Sequence, residues 1–162
     1  MTELPAPNRI PWPPLVYLAA AVAGVLLQRA LPLPWPGDGP LRFGLAAIGA
    51  CLACAGLAID LQAMRRFRHH RTTILPHRGA SALITDGPFA WSRNPIYLGN
   101  TLVVFGAGLA LGLPWLLTAA PLAAVLVQKL AIEREERHLA ARFGKDWRDY
   151  AARTPRWLLI KS

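Results

Sequence analysis

The sequence predicts an all-α integral membrane protein with about four membrane-spanning helices, the last two forming a helical hairpin. Hydrophobic residues make up 54% of the 162-residue chain, which is too apolar for an ordinary soluble domain of that size. Long stretches contain no Asp, Glu, Lys or Arg. The basic residues are concentrated beside those stretches, as they are beside membrane helices in general.

The first uncharged stretch covers residues 10–28 and predicts a membrane helix over about 13–31. About 20 helical residues cross the roughly 30 Å of hydrocarbon in a bilayer. A cleaved secretion signal is the alternative, but such signals have a basic start and a small-residue cleavage site. The preceding segment is rich in proline, and Trp12 and Tyr17 are typical of interfacial anchors. A retained helix is therefore favoured.

The second uncharged stretch, residues 43–59, predicts a helix over about 41–62. Cys51 and Cys54 have the spacing of a metal or redox motif, but they lie among Gly and Ala within this helix. Small residues let membrane helices approach closely, so a packing role is favoured. The chain has two cysteines in all, so no metal site and no disulfide framework are expected.

The third uncharged stretch, residues 94–128, is too long for one crossing. Pro114 lies within it, two residues after a glycine. Proline removes a backbone N–H and disfavours helical geometry at the residue before it. The stretch therefore predicts a tight hairpin of two helices, over about 95–112 and 114–132.

Arg and Lys residues set the expected orientation, because they accumulate on the cytoplasmic side of short loops. The basic loop over 63–94 and the C-terminal segment over 133–162 are expected in the cytoplasm, together with both termini. The net charge of +9 then reflects topology and attraction to anionic lipids. No nucleic-acid motif accompanies the charge, so no nucleic acid is expected. Frequent Ala, Leu, Pro and Arg with few Lys suggest a GC-rich bacterial gene, hence an inner membrane.

The loop over 63–94 is interrupted repeatedly by Gly and Pro, so it is predicted to fold as an irregular, functional loop. Ser92 or Asn94 is a candidate cap for the helix that contains Pro95 in its first turn. Free amides at a helix start bind anionic groups. Alternatively, this turn only starts the helix, and Arg93 extends to lipid headgroups.

The C-terminal segment combines acidic residues with an apolar stripe. Glu133, Glu135 and Glu136 directly follow the fourth predicted helix, and the short hairpin turn brings them towards the start of the third. Apolar residues then recur every three or four positions, at Leu139, Phe143, Trp147 and Tyr150. The stripe predicts an amphipathic helical segment that lies on the membrane or covers a site, with membrane anchoring favoured.

Two sequence blocks occur in order, separated by a hairpin-sized apolar spacer. The first is Arg93-Asn94-Pro95-Ile96-Tyr97-Leu98-Gly99, preceded by Gly87-Pro88-Phe89. The second is Glu135-Glu136, followed by Leu139, Phe143-Gly144 and Tyr150. Together they resemble the isoprenylcysteine carboxyl methyltransferase and phospholipid methyltransferase superfamily, over about residues 70–160.

The resemblance implies a membrane enzyme that transfers a methyl group from S-adenosylmethionine to a lipophilic or membrane-embedded acceptor at the cytoplasmic interface. In that family the loop before the hairpin and the acids after it form the cofactor pocket, and the lipid substrate arrives from the bilayer. Aromatic rings in such a pocket attract a cationic sulfonium. The implied cofactor-binding positions are Ser81, Ala82, Leu83, Ile84, Phe89, Asn94, Pro95, Ile96, Tyr97 and Glu135.

Two positions depart from the family's pattern. Asn94 replaces a titratable histidine, and Ala131 stands where prenylcysteine methyltransferases place a basic residue near the substrate carboxylate. The acceptor therefore stays open between a lipid amine and an isoprenylcysteine-like carboxylate. An ammonium acceptor must first lose a proton. The catalytic candidates are Glu136, Glu133 and Arg93, with His138 as a further possible proton acceptor.

Two other functions stay open. One is an NADPH-dependent membrane reductase of the sterol or steroid type, which shares an Arg-x-Pro-x-Tyr turn and whose cofactor phosphates would suit the basic loop. The other is a non-catalytic membrane scaffold with the same fold, which Asn94 and Ala131 favour. The sequence predicts neither the acceptor nor the oligomeric state.

Overall fold

The protein is described by a computed structural model over residues 12–70 and 82–158, with side chains from residue 13 onward. Within these ranges the chain is helical and contains no strand, so the all-α prediction is confirmed. The helices are α1 (Trp12–Ala30), α2 (Pro40–His69), α3 (Pro95–Leu111), α4 (Pro114–Val127), α5 (Glu133–Phe143) and α6 (Lys145–Arg153). A 3-10 helix covers Gly87–Ala90, and a π-helical turn covers Gln128–Ile132. The side chain of Trp12, a predicted anchor, lies outside the described part.

The protein is an integral membrane protein. Three helical segments are long and apolar enough to cross a membrane, namely Pro13–Ala30, Pro40–His69 and Pro114–Phe143. Large apolar side chains on their outer faces are exposed, as Leu18, Phe43 and Leu122 illustrate. α3 is apolar but shorter, with 17 residues, which is about 26 Å of helix. Three of the four predicted crossings thus meet the length requirement, and the total of four stays a prediction.

α3 packs against α2 at a distance that only glycine permits. A Cβ atom on Gly56 of α2 would lie 2.5 Å from the carbonyl oxygen of Gly99 in α3. Close approach of this kind provides the van der Waals contact that holds membrane helices together. The predicted packing role of Cys51 and Cys54 is wrong, because both cysteines are exposed and the neighbouring small residues make the contact instead.

The hairpin between α3 and α4 turns at Gly112. This residue has φ of 69° in the left-handed region, where a glycine has no steric penalty. The backbone N–H of Leu113 donates to the carbonyl oxygen of Gly108 at 2.9 Å, and Pro114 begins α4. Because the turn is short, the end of α4 lies beside the start of α3.

α4 continues through the π-helical turn into α5, so the acidic residues extend directly from a membrane helix. Ala131 and Ile132 of this turn are fully buried in a core that also contains Val127 and Tyr17 of α1. π-helical turns are rare and often occur at functional sites. Here the turn connects the membrane helix to the acids of α5.

α6 covers the loop before α3. Gly144 has φ of 52° and separates α5 from α6. Trp147 and Tyr150 are only 7% and 2% exposed, and the Tyr150 hydroxyl donates to the carbonyl oxygen of Phe89 at 2.7 Å. Membrane anchoring, the favoured interpretation of the apolar stripe, is wrong for these two residues, because they pack against the protein itself.

Candidate functional site

The turn before α3 is buried and internally hydrogen-bonded. Pro88, Phe89 and Ser92 are buried, and the Ser92 hydroxyl accepts a hydrogen bond from the backbone N–H of Asn94 at 3.2 Å. Asn94 occupies the position before α3, but its side chain makes no capping hydrogen bond. Asn94, one of the two candidate caps, therefore does not cap α3 through its side chain, and its amide group is directed elsewhere.

Residues 154–157, which we call the C-terminal strap, lie across this turn. The strap follows α6 directly, so the burial of α6 determines where it runs. Its carbonyl groups accept three hydrogen bonds from the turn: Arg93 N–H to Pro155 O at 2.9 Å, Ser92 Oγ to Arg156 O at 3.2 Å and Asn94 Nδ2 to Arg156 O at 3.2 Å. The Asn94 amide therefore holds the strap instead of the helix.

Glu136 of α5 joins the strap to the start of α3. Its carboxylate accepts hydrogen bonds from Arg156 Nη2 at 2.6 Å and from Arg156 Nε at 3.1 Å. Bidentate arginine–carboxylate pairs of this kind are among the stronger ion pairs. Arg93 Nε lies 3.4 Å from the same carboxylate. The exposed fractions of the Glu136, Arg156 and Arg93 side chains are 14%, 21% and 6%, so water screens these charges weakly.

The two arginines of this cluster have shifted pKa values. Burial lowers the pKa of Arg93, while Glu136 acts in the opposite direction. The hydrogen bond from Glu136 raises the pKa of Arg156. Arginine stays protonated in proteins in either case, so Glu136 lies between two cations. Its geometry suits a structural clamp better than a proton acceptor.

Glu133 lies outside this cluster. It accepts a hydrogen bond from Lys129 Nζ at 2.7 Å. Within the Glu136 cluster, Arg93 also lies over the ring of Trp147, with its guanidinium carbon 5.8 Å from the ring centroid. The structure thus brings Glu136 and Arg93 together and leaves Glu133 in a separate pair with Lys129. His138, the further possible proton acceptor, is buried on α5.

Tyr97 and Glu135 connect the two sequence blocks. The Tyr97 hydroxyl donates to Glu135 Oε2 at 3.2 Å, across the start of α3 and the start of α5. The carbonyl oxygen of Tyr97 accepts from the Tyr17 hydroxyl at 2.9 Å. Tyr17 is 5% exposed, so its predicted role as an interfacial anchor is wrong. It instead fixes α1 against the first turn of α3.

A second group of implied cofactor positions forms an apolar cluster against α2. Ile84 and Phe89 are buried with Ala63, and Ile96 and Phe67 pack against them. The rings of Phe67 and Phe89 meet edge to face with centroids 5.5 Å apart, a preferred aromatic geometry. The loop and the start of α3 therefore share one apolar wall with the end of α2.

The remaining implied positions lie next to these groups. Ala82 and Leu83 are half-buried directly before Ile84, and Pro95 is fully buried at the start of α3. Ser81 lies outside the described residues, with the rest of 71–81. The implied positions thus lie on two sides of the first turn of α3, one towards α2 and one towards α5.

Two aspartates at this end of the molecule were not singled out by sequence reasoning. Asp86 accepts from Arg66 Nη1 at 2.8 Å and lies 3.1 Å from His70 Nε2, so it ties the loop to the end of α2. Asp60 lies inside α2 itself. Its position within a predicted membrane helix was the signal that could have identified it, because acids are rare there.

The sequence model of the phospholipid methyltransferase family matches residues 45–146. The chain belongs to this family. The match to the phospholipid methyltransferase family begins within α2 and ends at the start of α6, so it contains the first sequence block, the hairpin and the second block except Tyr150. The protein is thereby assigned to a family of membrane methyltransferases.

Two curated proteins are similar to parts of this phospholipid methyltransferase family member. The cobalt-zinc-cadmium resistance protein CzcN of Cupriavidus metallidurans is 29% identical over 123 residues, which cover 75% of this chain and 51% of CzcN. The nickel-cobalt-cadmium resistance protein NccN of Alcaligenes xylosoxydans xylosoxydans is 35% identical over 78 residues, which cover 48% of this chain and 36% of NccN. The chain thus spans about half or less of the length of these relatives.

Proposed function

We propose that this protein is an S-adenosylmethionine-dependent methyltransferase that acts on a lipophilic acceptor at the membrane interface. The hydrogen bond between Tyr97 and Glu135 at 3.2 Å carries the proposal. It joins the two sequence blocks that the family resemblance assigns to the cofactor, although they are far apart in sequence. A purely apolar hairpin has no need of a half-buried carboxylate at this point.

The residues around this hydrogen bond suit the methyl donor. Glu135 Oε2 accepts from Tyr97, and a carboxylate has further lone pairs for an amino or ribose group. Phe89 and Tyr97 supply aromatic rings, which attract a sulfonium cation. Ile84 and Ile96 supply an apolar wall beside Phe89. When bound, the donor would supply an electrophilic methyl group.

The task of the chain's own residues is then to align the acceptor and to exclude water. Holding two reactants in order contributes several kcal/mol to many enzymatic reactions. The strap and α6 cover the loop from the side of the polar residues, held by Glu136 and Asn94. The apolar side chains exposed on the outer faces of the helices leave the opposite side of the site open to a lipid. We further propose an inner-membrane location with both termini and the loop in the cytoplasm, on the strength of the basic residues.

Resistance to metal ions, which the names of the two relatives describe, does not identify an acceptor for this chain. Among residues 12–70 and 82–158 no group of three or more His, Cys, Asp or Glu is arranged to hold a metal ion. We therefore base the proposed function on the family and on the Tyr97–Glu135 geometry.

An NADPH-dependent reductase is kept as the second candidate because of one basic cavity. The cavity has a volume of about 370 Å³ and lies at the end of α2, lined by Gln62, Arg65, Arg66 and His69. Arginine forks bind phosphate groups, although juxtamembrane arginines bind anionic lipid headgroups in the same way. Cofactor preference separates the two functions.

Isothermal titration of the detergent-solubilised protein with S-adenosylhomocysteine tests the proposal. We expect binding by the wild type, and a loss of affinity of about tenfold or more for Glu135→Ala and Tyr97→Ala, since each removes a half-buried hydrogen-bonding group. Cys51→Ala is the control, because Cys51 is exposed on α2 and should bind as the wild type does. Thermal unfolding of each variant verifies that it is folded.

Several results would contradict this function. A folded wild type that binds NADPH but not S-adenosylhomocysteine would favour the reductase. Equal effects of all three substitutions would show that the assigned site has no special role. Binding of S-adenosylhomocysteine without transfer of a labelled methyl group to any fraction of a host lipid extract would favour a non-catalytic scaffold.

A further inference from the structure

Tyr17 of α1 carries a hydroxyl group that reaches a neighbouring helix. Its oxygen lies 2.9 Å from the carbonyl oxygen of Tyr97 and 2.7 Å from Thr101 Oγ1, both on α3. Tyr17 is only 5% exposed, so water competes little for these contacts. α1 precedes residues 45–146, which match the phospholipid methyltransferase family. The contact therefore ties a helix outside the matched region to the helix that begins with the first sequence block.

The three oxygen atoms form a small network on the first turn of α3. The Thr101 hydroxyl donates to the carbonyl oxygen of Tyr97 at 2.8 Å. Each hydroxyl has a single proton to donate, so two protons serve three contacts. In every arrangement of these protons that uses both, Tyr17 is hydrogen-bonded to α3 at Tyr97 or at Thr101.

The ring of Tyr17 lies in the core that joins the two sequence blocks. Tyr17 belongs to the same buried cluster as Ala131 and Ile132 of the π-helical turn, and Tyr97 packs against this cluster. The turn leads directly into α5, which carries Glu135. One residue of α1 thus shares a close-packed core with both parts of the chain that meet in the Tyr97–Glu135 hydrogen bond. Close packing transmits a shift of one side chain to its neighbours.

Filling the core does not by itself account for the hydroxyl group of Tyr17. A phenylalanine would supply the same ring without a polar group, and burial of a hydroxyl is unfavourable unless it is hydrogen-bonded. Both contacts of this hydroxyl are with the turn that holds Tyr97. The hydroxyl therefore fixes the position of that turn relative to α1.

We propose that Tyr17 is a positioning residue for the cofactor site. Its hydroxyl holds the first turn of α3 so that the Tyr97 hydroxyl stays on Glu135, and it thereby maintains the affinity for the methyl donor. The effect on the cofactor rests on the proposed function, whereas the effect on Tyr97 does not. The site then depends on a helix that precedes both sequence blocks.

A double-mutant cycle of thermal unfolding in detergent, without cofactor, tests whether Tyr17 acts on Tyr97. Tyr17→Phe and Tyr97→Phe each keep the ring and remove the hydroxyl. We expect their losses in melting temperature to be non-additive, because groups that share one network are energetically coupled. Tyr150→Phe is the matched control, since its hydroxyl donates to the carbonyl oxygen of Phe89 instead. Its loss should add to that of Tyr97→Phe.

Titration of the variants with S-adenosylhomocysteine tests the consequence for the site. Tyr17→Phe should weaken binding about threefold to tenfold, as expected for one hydrogen bond, and it should have little further effect in Tyr97→Phe. Thr118→Val removes an exposed hydroxyl of α4 that donates to the carbonyl oxygen of Trp115 at 2.9 Å, and it should bind as the wild type does.

Thr101 provides a second variant that leaves Tyr17 unchanged. Thr101→Val has nearly the same shape and lacks the hydroxyl, so it should weaken binding. Thr101→Ser keeps the hydroxyl and should restore the affinity. A loss of packing would not be restored in this way, because serine is the smaller side chain. If Tyr17→Phe does not fold, the cycle of Thr101→Val with Tyr97→Phe decides by the same criterion of additivity.

Additive losses in melting temperature for Tyr17→Phe and Tyr97→Phe overturn the proposal, whether or not the cofactor binds. The proposal is also overturned if the wild type binds S-adenosylhomocysteine and Tyr17→Phe binds it equally well, or if Thr101→Ser is as weak as Thr101→Val. Non-additive losses in a protein that does not bind S-adenosylhomocysteine would refute the methyltransferase function and leave the positioning of Tyr97 by Tyr17 standing.

Discussion

Replacing Glu136 with Gln should release the C-terminal strap from the start of α3. The substitution keeps the shape of the side chain but removes the charge that faces Arg156 at 2.6 Å and Arg93 at 3.4 Å. Arg93 would then remain as a cation that is only 6% exposed. Removal of one partner from a fully buried pair is destabilising by about 3–5 kcal/mol.

The magnitude here is smaller, because Arg156 retains 21% exposure and its guanidinium can turn towards water. We therefore expect a loss of about 2 kcal/mol in the free energy of unfolding, between the values for buried and exposed ion pairs. For a chain of this length that corresponds to a fall of about 4–8 °C in melting temperature. High salt should reduce this loss of stability only slightly, since salt screens a partly buried ion pair weakly.

Thermal unfolding in detergent, together with limited proteolysis of the C-terminus, provides the assay. Glu133→Gln is the matched control, since it makes the same change on the same helix in the pair with Lys129, whose side chain is 63% exposed. Such a pair contributes about 0–1 kcal/mol. Equal melting temperatures and equal cleavage rates for the two variants would refute the clamp. Loss of methyl transfer by Glu136→Gln with an unchanged strap would instead favour the predicted proton-accepting role.

Two further substitutions test the packing around the site. Gly56→Ala should destabilise the protein by several kcal/mol, because the added methyl group meets the Gly99 carbonyl oxygen at 2.5 Å and the backbone must move. Gly44→Ala is the control, since no atom lies within 4 Å of the added methyl group, and it should stabilise α2 slightly. The reverse order of melting temperatures would contradict this packing. Tyr150→Phe removes the donor to the Phe89 carbonyl oxygen and should lower the free energy of unfolding by about 1–3 kcal/mol. Thermal unfolding measures this loss, and an unchanged melting temperature would mean that water replaces the hydroxyl.

Part of the site was predictable because its signals are local. The apolar stretches predicted membrane helices, since a bilayer requires continuous apolar length. Pro114 predicted the turn between α3 and α4, since proline cannot continue a hydrogen-bonded helix. The approach of Glu135 to Tyr97 followed from the short turn, because a hairpin brings the end of one helix to the start of the other.

The hydrogen-bonding and packing partners of other residues could not be predicted from the sequence, because several side chains compete for each partner. Asn94 has the chemistry of a helix cap, but its amide binds the strap carbonyl of Arg156. Trp147 and Tyr150 have the amphipathic pattern of a membrane anchor, and the same pattern serves equally well for packing against a loop. Nothing local separates these alternatives, because the partner is distant in the chain.

The amino-acid sequence was sufficient for the membrane class, the helical hairpin and the membership of a methyltransferase superfamily, because these depend on composition, spacing and short motifs. The tertiary structure decided which charged groups meet. It joined Glu136 to Arg156 and Arg93, and it inserted Asp60 against Gly99 between two helices. Such contacts depend on the rotation of each helix about its axis, which is set by packing over the whole interface.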